Sequence, residues 1–398
     1  MTTDLPTIRL KPKSDPRRLR HGFPWVYANE LVTDRRTRAL PAGGIARLED
    51  NDRRPLGVVA VNPTSKIFAR VLDRDVDTKI DELWLRSILG RALDTRSKLF
   101  DAPYYRLIHA EADGMPGVII DRFDEAFVIQ PNAAWADLRI NEIAHVLSEL
   151  MAATIIVKNC SGRARGLEGL DDVSVVLKGD VDRPVPVPMN GATYMADLVG
   201  GQKTGLFYDQ RPNHAFVAKI AKGTDVLDVF SHVGGFALAA LAGGATSALS
   251  VDASNAALTH AWAGAKASGM ADRYDTQTGD AFDAMAALAR DGRTFGTVIA
   301  DPPAFAPHKQ ARDAGLRAYE KVARLAAMLV APDGTLTLCS CSHAADLDQF
   351  RAASLRGIGR AGRACQILRT GFAGPDHPQH PHLAESGYLK ALTFRMLG

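Results

Sequence analysis

The stretch TLTLCSCSHAAD, residues 335–346, sets two cysteines one residue apart at the end of an apolar, alternating run. Side-chain alternation along a strand puts Thr335, Thr337, Cys339 and Cys341 on one face. Cys339 then lies within the sheet, where a small thiol packs as a hydrophobe. Cys341 lies at the mouth, where a thiol can meet a ligand and act as a nucleophile. A free thiol titrates near roughly pH 8.5, so a positive field or hydrogen bonds must favour the thiolate. Metal binding and disulfide formation are the competing uses. The chain has four cysteines, Cys160, Cys339, Cys341 and Cys365, and no CxxC pair. That pattern offers no zinc site and no disulfide framework, and it suits a reducing compartment. No metal is expected.

Four acids come to the same side of the predicted sheet. The strand-like runs TDVLDVF, ALSVD, YDTQTGD and TVIAD end on or beside Asp228, Asp252, Asp280 and Asp301, as GTLTLCSC ends on Cys341. One such Asp commonly caps a helix or a turn. Four along the rim where open α/β sheets bind ligands indicate a site. Gly234 and Gly235 follow the first of these strands and let backbone approach a ligand at a helix start. Asp252, 24 residues after Asp228, suits the two hydroxyls of a ribose. These features specify an adenosine-type ligand and leave dinucleotide and S-adenosylmethionine (SAM) readings open. The absence of GxGxxG weighs against the dinucleotide.

IADPPAFAP, residues 299–307, separates them further. Asp301-Pro302-Pro303 after a strand is a stiff turn that can present a carboxylate to the polar edge of a flat substrate. It resembles motif IV of SAM-dependent nucleic-acid methyltransferases. Ala304 stands between the prolines and Phe305, whereas amino-group methyltransferases have the aromatic at once, which argues against an exocyclic nitrogen target. A carbon target needs the thiol. Carbon-5 of cytosine becomes nucleophilic once a thiolate has added to carbon-6. Asp301 then holds the base edge and assists protonation of the ring nitrogen.

The elements that must position these groups read in three blocks. A length of 398 residues, 46% hydrophobic and 23% charged, fits a multi-domain globular protein. No apolar run reaches membrane-spanning length and no signal-peptide core opens the chain, so a cytoplasmic location is expected. Residues 1–75 carry short β-rich runs with turns at PAGG and NDRRP. Residues 76–188 read as an α+β block, with a helix over 77–98 and another near 135–151. DVDRPVPVPMNG (180–191) reads as an extended proline connector. From 189 to 398 strands and helices alternate, as in a parallel α/β sheet covered on both faces. Residues 1–38 hold nine Lys/Arg (Arg9, Lys11, Lys13, Arg17, Arg18, Arg20, Arg35, Arg36, Arg38) against Asp4, Asp15, Glu30 and Asp34, which suits a polyanion or a plain solvated face. DHPQHPHLAE carries His377, His380 and His382, read as a solvated loop rather than a metal site.

Taken together, RHGFPWVYANEL (20–31), YRLIHAEADGMPGVIIDRF (105–123), GQKTGLFYDQRPN (201–213), VLDVFSHVGGFAL, DPPAF, CSCS and the closing GYLKAL resemble the bacterial large-subunit (23S) ribosomal RNA cytosine-C5 methyltransferases over nearly the whole chain. The resemblance implies a PUA domain over 1–75, an α+β middle domain over 76–188, and a Rossmann-like class I SAM-dependent methyltransferase domain over 189–398. It implies that Tyr208, Arg211, Asp228, Phe230 and Gly234 enclose the methionine part of SAM. Asp252 would take the ribose, Asp280 the adenine amino group, Asp301 the target base, and Cys341 would be the nucleophile. SHVGG departs from the family, which has an aromatic and a Thr before the glycines. His232 and Val233 are expected to alter packing near the cofactor. The partner implied is large-subunit ribosomal RNA, with no membrane; a homodimer is permitted. A guanine ring-nitrogen methyltransferase of related architecture, and a non-catalytic RNA-binding module with a vestigial SAM fold, are the alternatives.

Overall fold

A computed structural model describes residues 5–201 and 205–397. The chain divides into two compact units. The first runs to Arg183 and includes Leu198–Gly205 and Asp376–Leu383. The second comprises Pro184–Asp197, Leu206–Pro375 and Ala384–Gly398. Residues 202–204 of the motif GQKTGLFYDQRPN lie outside the described residues.

The first unit holds two sheets. One comprises β1 (Thr7–Arg9), β2 (Trp25–Tyr27), β3 (Ile45–Glu49), β4 (Pro55–Val61) and β5 (Ile67–Asp73), in the order β1-β3-β4-β5-β2. Its strands alternate as a one-sided sheet should: Ala46 and Leu48 of β3 are buried while Ile45, Arg47 and Glu49 between them are only partly covered. The other comprises β6 (Tyr104–His109), β7 (Val118–Phe123), β8 (Ala126–Pro131), β9 (Ile155–Lys158) and β10 (Val175–Lys178), in the order β10-β9-β8-β7-β6. The expected helix over 77–98 is Glu82–Leu99. It starts five residues later because the Asp81 side chain accepts the Trp84 amide and sets the N-cap there.

The two sheets are tied by buried charge. Arg70 of β5 pairs with Glu111 at 3.0 Å and Glu168 at 2.9 Å. Glu168 also accepts from Ser65 Oγ at 2.8 Å and from Asn62 Nδ2 at 2.9 Å. Both terminal nitrogens of Arg70 meet a carboxylate and each carboxylate has further donors, which is the condition under which a buried ion pair is tolerated.

The second unit opens on a hairpin, and here the structure corrects the sequence reading. The proline segment is not a free connector but β11 (Val185–Met189), paired antiparallel with β12 (Ala192–Ala196). Asn190 (φ 52°) and Gly191 (φ 78°) form the two-residue turn, the pair best suited to positive φ at both central positions. The missed signal was the NG dipeptide.

The main sheet of this unit has seven strands: β13 (Asp225–Val229), β14 (Ser247–Asp252), β15 (Tyr274–Thr278), β16 (Phe295–Ala300), β17 (Val330–Ser340), β18 (Ala364–Gly371) and β19 (Lys390–Leu397). The order is β15-β14-β13-β16-β17-β19-β18, with β19 antiparallel to both neighbours and the others parallel. Strand order reverses between β13 and β16, which opens a crevice at their carboxyl ends. This is the expected Rossmann-like α/β arrangement. The strand β18 was not legible, since ACQILRTG lies at a sheet edge, where Ala364, Gln366, Ile367 and Leu368 are exposed and no alternation of apolar and polar residues marks it.

Replacing Glu168 with Ala should destabilise the first unit by about 3 kcal/mol, because Arg70 loses one of two carboxylates, Ser65 loses its acceptor, and Asn62 keeps only the backbone carbonyl of residue 168. Urea unfolding followed by tryptophan fluorescence reads the effect; an unchanged midpoint would mean the network carries no stability.

Candidate active site

The turn after β13 is the site's most unusual backbone. Phe230 (φ 63°), His232 (φ 50°) and Gly234 (φ 77°) are all left-handed within five residues. Two of them carry side chains, for which that region is costly. Specific bonds hold the turn. The His232 amide donates to Asp252 Oδ2 at 2.8 Å, the Ser231 amide to the Val251 carbonyl at 3.1 Å, and the Gly234 amide to the Ser231 carbonyl at 2.8 Å. The Phe230 ring packs edge-on against Phe282 and Phe305, at 6.2 and 6.4 Å between centroids. The His232 ring lies 4.8 Å from that of Phe207, and Val233 is buried. A Cβ on Gly235 would meet the His214 ring at 2.7 Å. That residue must be glycine.

Asp228 lies within β13 rather than at its end, fully buried. Its Oδ2 accepts the Ala237 amide at 3.0 Å, at the start of the helix Gly235–Ala242, while its Oδ1 has no partner among the described residues. Burial pushes this carboxyl up to about 8, against the Ala237 bond, with the nearby Asp301 and Asp252 adding to the rise. The Ser231 hydroxyl is likewise buried with no partner among the described residues. His214 is held neutral by burial, which pulls it down to about 3, and by the neighbouring Arg211.

Asp252 does end its strand, and its Oδ1 accepts the Ser254 amide at 2.8 Å. Asp280 corrects the sequence reading. β15 stops at Thr278, and Asp280 is an exposed N-cap that accepts the Phe282 and Asp283 amides. Asp301 follows β16 directly, and its Oδ2 accepts from Gln210 Nε2 at 2.9 Å. Gln210 is buried and is oriented by Asn213, whose Nδ2 donates to Gln210 Oε1 at 2.7 Å. Tyr208 is buried, with the Arg211 guanidinium 5.2 Å from its ring centre. The Arg211 carbonyl accepts from Asn190 of the hairpin turn at 3.0 Å.

The CSCS segment divides its labour by strand face. Ser340 and Ser342 are buried. Ser342 Oγ accepts the Ala306 amide at 2.9 Å and meets the Tyr319 hydroxyl at 2.8 Å, fixing the loop after Asp301. On the opposite face Cys339 is sealed, and burial together with Asp301 pushes its thiol well up. Cys341 is half-buried, one residue past β17, on the strand beside that of Asp301. Lys390 of β19, opposite Ser340, is buried and donates to the carbonyls of Ser342 at 2.6 Å and Ala345 at 2.7 Å. Gln210, His214 and Lys390 were not given roles from sequence. The first and last stood inside quoted motifs, FYDQR and GYLKAL, but nothing in a sequence says which polar residue a fold will bury.

In the first unit, His377 departs from the solvated-loop expectation. It is buried, bonded to Asp376 at 3.0 Å, with its ring 5.0 Å from that of His109. Among the described residues the one metal-like grouping is Glu82, His145 and Glu149. It is exposed, and Arg86 is ion-paired to both carboxylates.

Residues 8–74 match the PUA-like domain family, and residues 170–395 match the family described as S-adenosylmethionine-dependent methyltransferase. A "Ribosomal RNA large subunit methyltransferase I" of Alteromonas mediterranea is 33% identical over 390 residues, covering 97% of this chain and 98% of its own. A "Ribosomal RNA large subunit methyltransferase" of Deinococcus radiodurans is 32% identical over 404 residues, covering 98% of each. The chain belongs to the S-adenosylmethionine-dependent ribosomal RNA large subunit methyltransferase family. A candidate SAM-dependent methyltransferase from Streptococcus mutans shares the fold of this methyltransferase, with a TM-score of 0.81 at 19% identity, covering 98% of this chain and 100% of that one.

The residues present suit a SAM-type ligand. Among the described residues, a buried carboxylate oxygen of Asp228 and the Ser231 hydroxyl lack partners beside a left-handed turn, at the sheet's switch point. Such orphaned polar atoms cost free energy until a ligand's donors meet them.

In the ligand-free methyltransferase, Asp228 holds its proton up to about pH 8, while the unfolded chain releases it near 3.8. The unfolded state therefore binds fewer protons between those values, and this group's contribution to stability falls as pH rises through that window. Asp228→Asn keeps an acceptor for Ala237 and removes the titration. Its stability relative to wild type should rise between pH 5 and 8, by at most about 1.4 kcal/mol per pH unit. Parallel urea titrations at the two pH values test this; a pH-independent difference would mean Asp228 is ionised in the folded protein.

Proposed function

We propose that this methyltransferase forms 5-methylcytosine in large-subunit ribosomal RNA, through a covalent bond between Cys341 and carbon-6 of the target base. The observation that carries the reading is a half-buried thiol at the carboxyl end of β17, one strand from the Asp301 carboxylate that Gln210 orients. A methyltransferase acting on a nitrogen has no use for that thiol.

SAM, when bound, supplies an electrophilic methyl group. Asp252 at the end of β14 is available to the ribose, and Asp228, Phe230, Gly234, Tyr208 and Arg211 to the methionine part. Asp280 keeps lone pairs for an amino group beyond the two amides it caps. Asp301 meets the polar edge of the cytosine and shares a proton with its ring nitrogen. The Cys341 thiolate adds to carbon-6, which leaves carbon-5 as an enamine carbon able to be alkylated. Loss of the carbon-5 proton then lets the carbon–sulfur bond break and returns the thiolate. The target base must leave its stack to reach the thiol, at a cost of a few kcal/mol, less in single-stranded RNA.

The PUA-like domain supplies cationic groups for the RNA backbone. Asp34 caps a short helix, Arg35–Arg38, whose three arginines are exposed, as are Arg17, Lys11 and Lys13. Arg18 and Arg20 are committed to Glu30 and Asp50. The exposed group is the one expected to contact phosphates and to make binding salt-dependent.

Cys341→Ala should abolish methyl transfer to large-subunit RNA from a strain lacking the enzyme, while SAM binding by calorimetry stays within a few-fold of wild type. Mass spectrometry of the RNA nucleosides should find 5-methylcytosine with the wild-type protein. An active alanine variant would remove the covalent scheme, and methylguanine as the product would replace the cytosine reading.

A further inference from the structure

The thiol proposed as nucleophile has acidic groups near it. Among the described residues, the titratable groups near Cys341 include Cys339 on its own strand, Asp301 after β16, Tyr319 on the helix Arg312–Met328, Asp346 at the N-cap of the helix Leu347–Arg360, and Lys390 on β19, with exposed His343 in the turn. Asp228 lies further in, near Cys339. Among these described groups the lysine or arginine is Lys390. Carboxylates near a thiol hold it protonated, and a cation does the reverse.

Lys390 is an unusual place for a charge. It is 4% exposed, and among the described residues no carboxylate forms an ion pair with it. Its ammonium binds two backbone carbonyls, Ser342 and Ala345, at the two ends of the turn that begins just after Cys341. Carbonyl dipoles alone compensate a buried ammonium poorly. Against burial, proximity to Cys341 first and Asp346 second favours its charged form. Burial draws the lysine down to about 8, so it is still charged at neutral pH. A neutral polar residue would close the same turn without this cost.

We propose that Lys390 is a positioning residue for the methyl-transfer reaction, whose buried ammonium braces the 342–345 turn and supplies the positive field that makes Cys341 a thiolate. The proposal rests on the reading of Cys341 as nucleophile, but its test does not require methylation. Charge and brace are separable: Lys390→Arg keeps the charge, and Lys390→Met keeps the apolar stem without it.

The experiment is the pH dependence of iodoacetamide alkylation, read by mass spectrometry on the peptide containing Cys341, in the full-length wild type and both variants. In wild type the Cys341 midpoint should fall below that of Cys365, a half-buried thiol pushed up by burial alone. A wild-type midpoint at or above that of Cys365 overturns the proposal with no variant needed. In Lys390→Met the Cys341 midpoint should rise by about one unit, so that alkylation at pH 7 slows about tenfold and recovers at high pH. Lys390→Arg should stay within about threefold of wild type. A midpoint unmoved in Lys390→Met, or slowed alkylation in both variants at all pH values, refutes the field and leaves a purely structural lysine. If methylation persists in Cys341→Ala, the nucleophile reading fails whatever the alkylation profile shows.

Discussion

The bond from the His232 amide to Asp252 Oδ2 holds the second unit's working end in shape. Left-handed backbone at Phe230 and His232 costs on the order of 1 kcal/mol or more at each residue, and such strain persists only where neighbours over-determine it. Asp252 supplies that restraint from the end of the adjacent strand, and the Phe282 and Phe305 rings supply it from the other side. The turn in exchange brings the start of the helix Gly235–Ala242 over Asp228. Without it the Asp228 carboxyl would lose the Ala237 amide.

The other end of the site is organised by alternation alone. Consecutive residues of CSCS face opposite ways, so one short run fixes the loop bearing Asp301 through Ser342 and offers thiols on the other face. Depth along the strand then separates the two thiols. Cys339 lies level with Asp301 inside the sheet and is sealed; Cys341 lies one pleat further out and is not. The threonines lower on the same face, Thr335 and Thr337, bond to Thr297 at 3.1 Å and Thr393 at 3.0 Å. They tie β17 to both neighbours and fix how far the strand projects.

What could be read in the sequence follows from how local each signal is. Strand–helix alternation, the apolar runs of β13, β16 and β17, and the strand-terminal positions of Asp252, Asp301 and Cys341 depend on short periodicities. The hairpin of β11 and β12 was equally local, but its prolines masked the Asn190-Gly191 turn; Pro186 and Pro188 are tolerated because β11 pairs on one side only. The partners that finish the site were not legible. Gln210 reaches Asp301 across 91 residues, and Lys390 reaches Ser342 across 48. Nothing in FYDQR or GYLKAL distinguishes a buried amide or ammonium from a surface one until the sheet order is known. Asp376 and His377 fail for the same reason. A Pro-rich, His-rich loop reads as solvated, yet Asp376 is buried as the acceptor of the Arg106 amide, at 3.1 Å.

Asp280 bears on how such motifs should be weighed. Its carboxylate caps the helix Ala281–Arg290, and Asp252 likewise accepts two backbone amides. Capping and ligand binding look like alternatives when each residue is taken singly, since a capping Asp is the commoner case. An ionised carboxylate, however, has about four acceptor positions, and two amides leave the others open. The amides remove rotational freedom from the side chain, so a ligand that meets it finds a fixed acceptor and need not order it on binding. An Asp on the rim that backbone amides hold in place is therefore better prepared to bind a sugar or a base edge than a free one. In a doubly wound sheet those amide bonds are part of the case for the site.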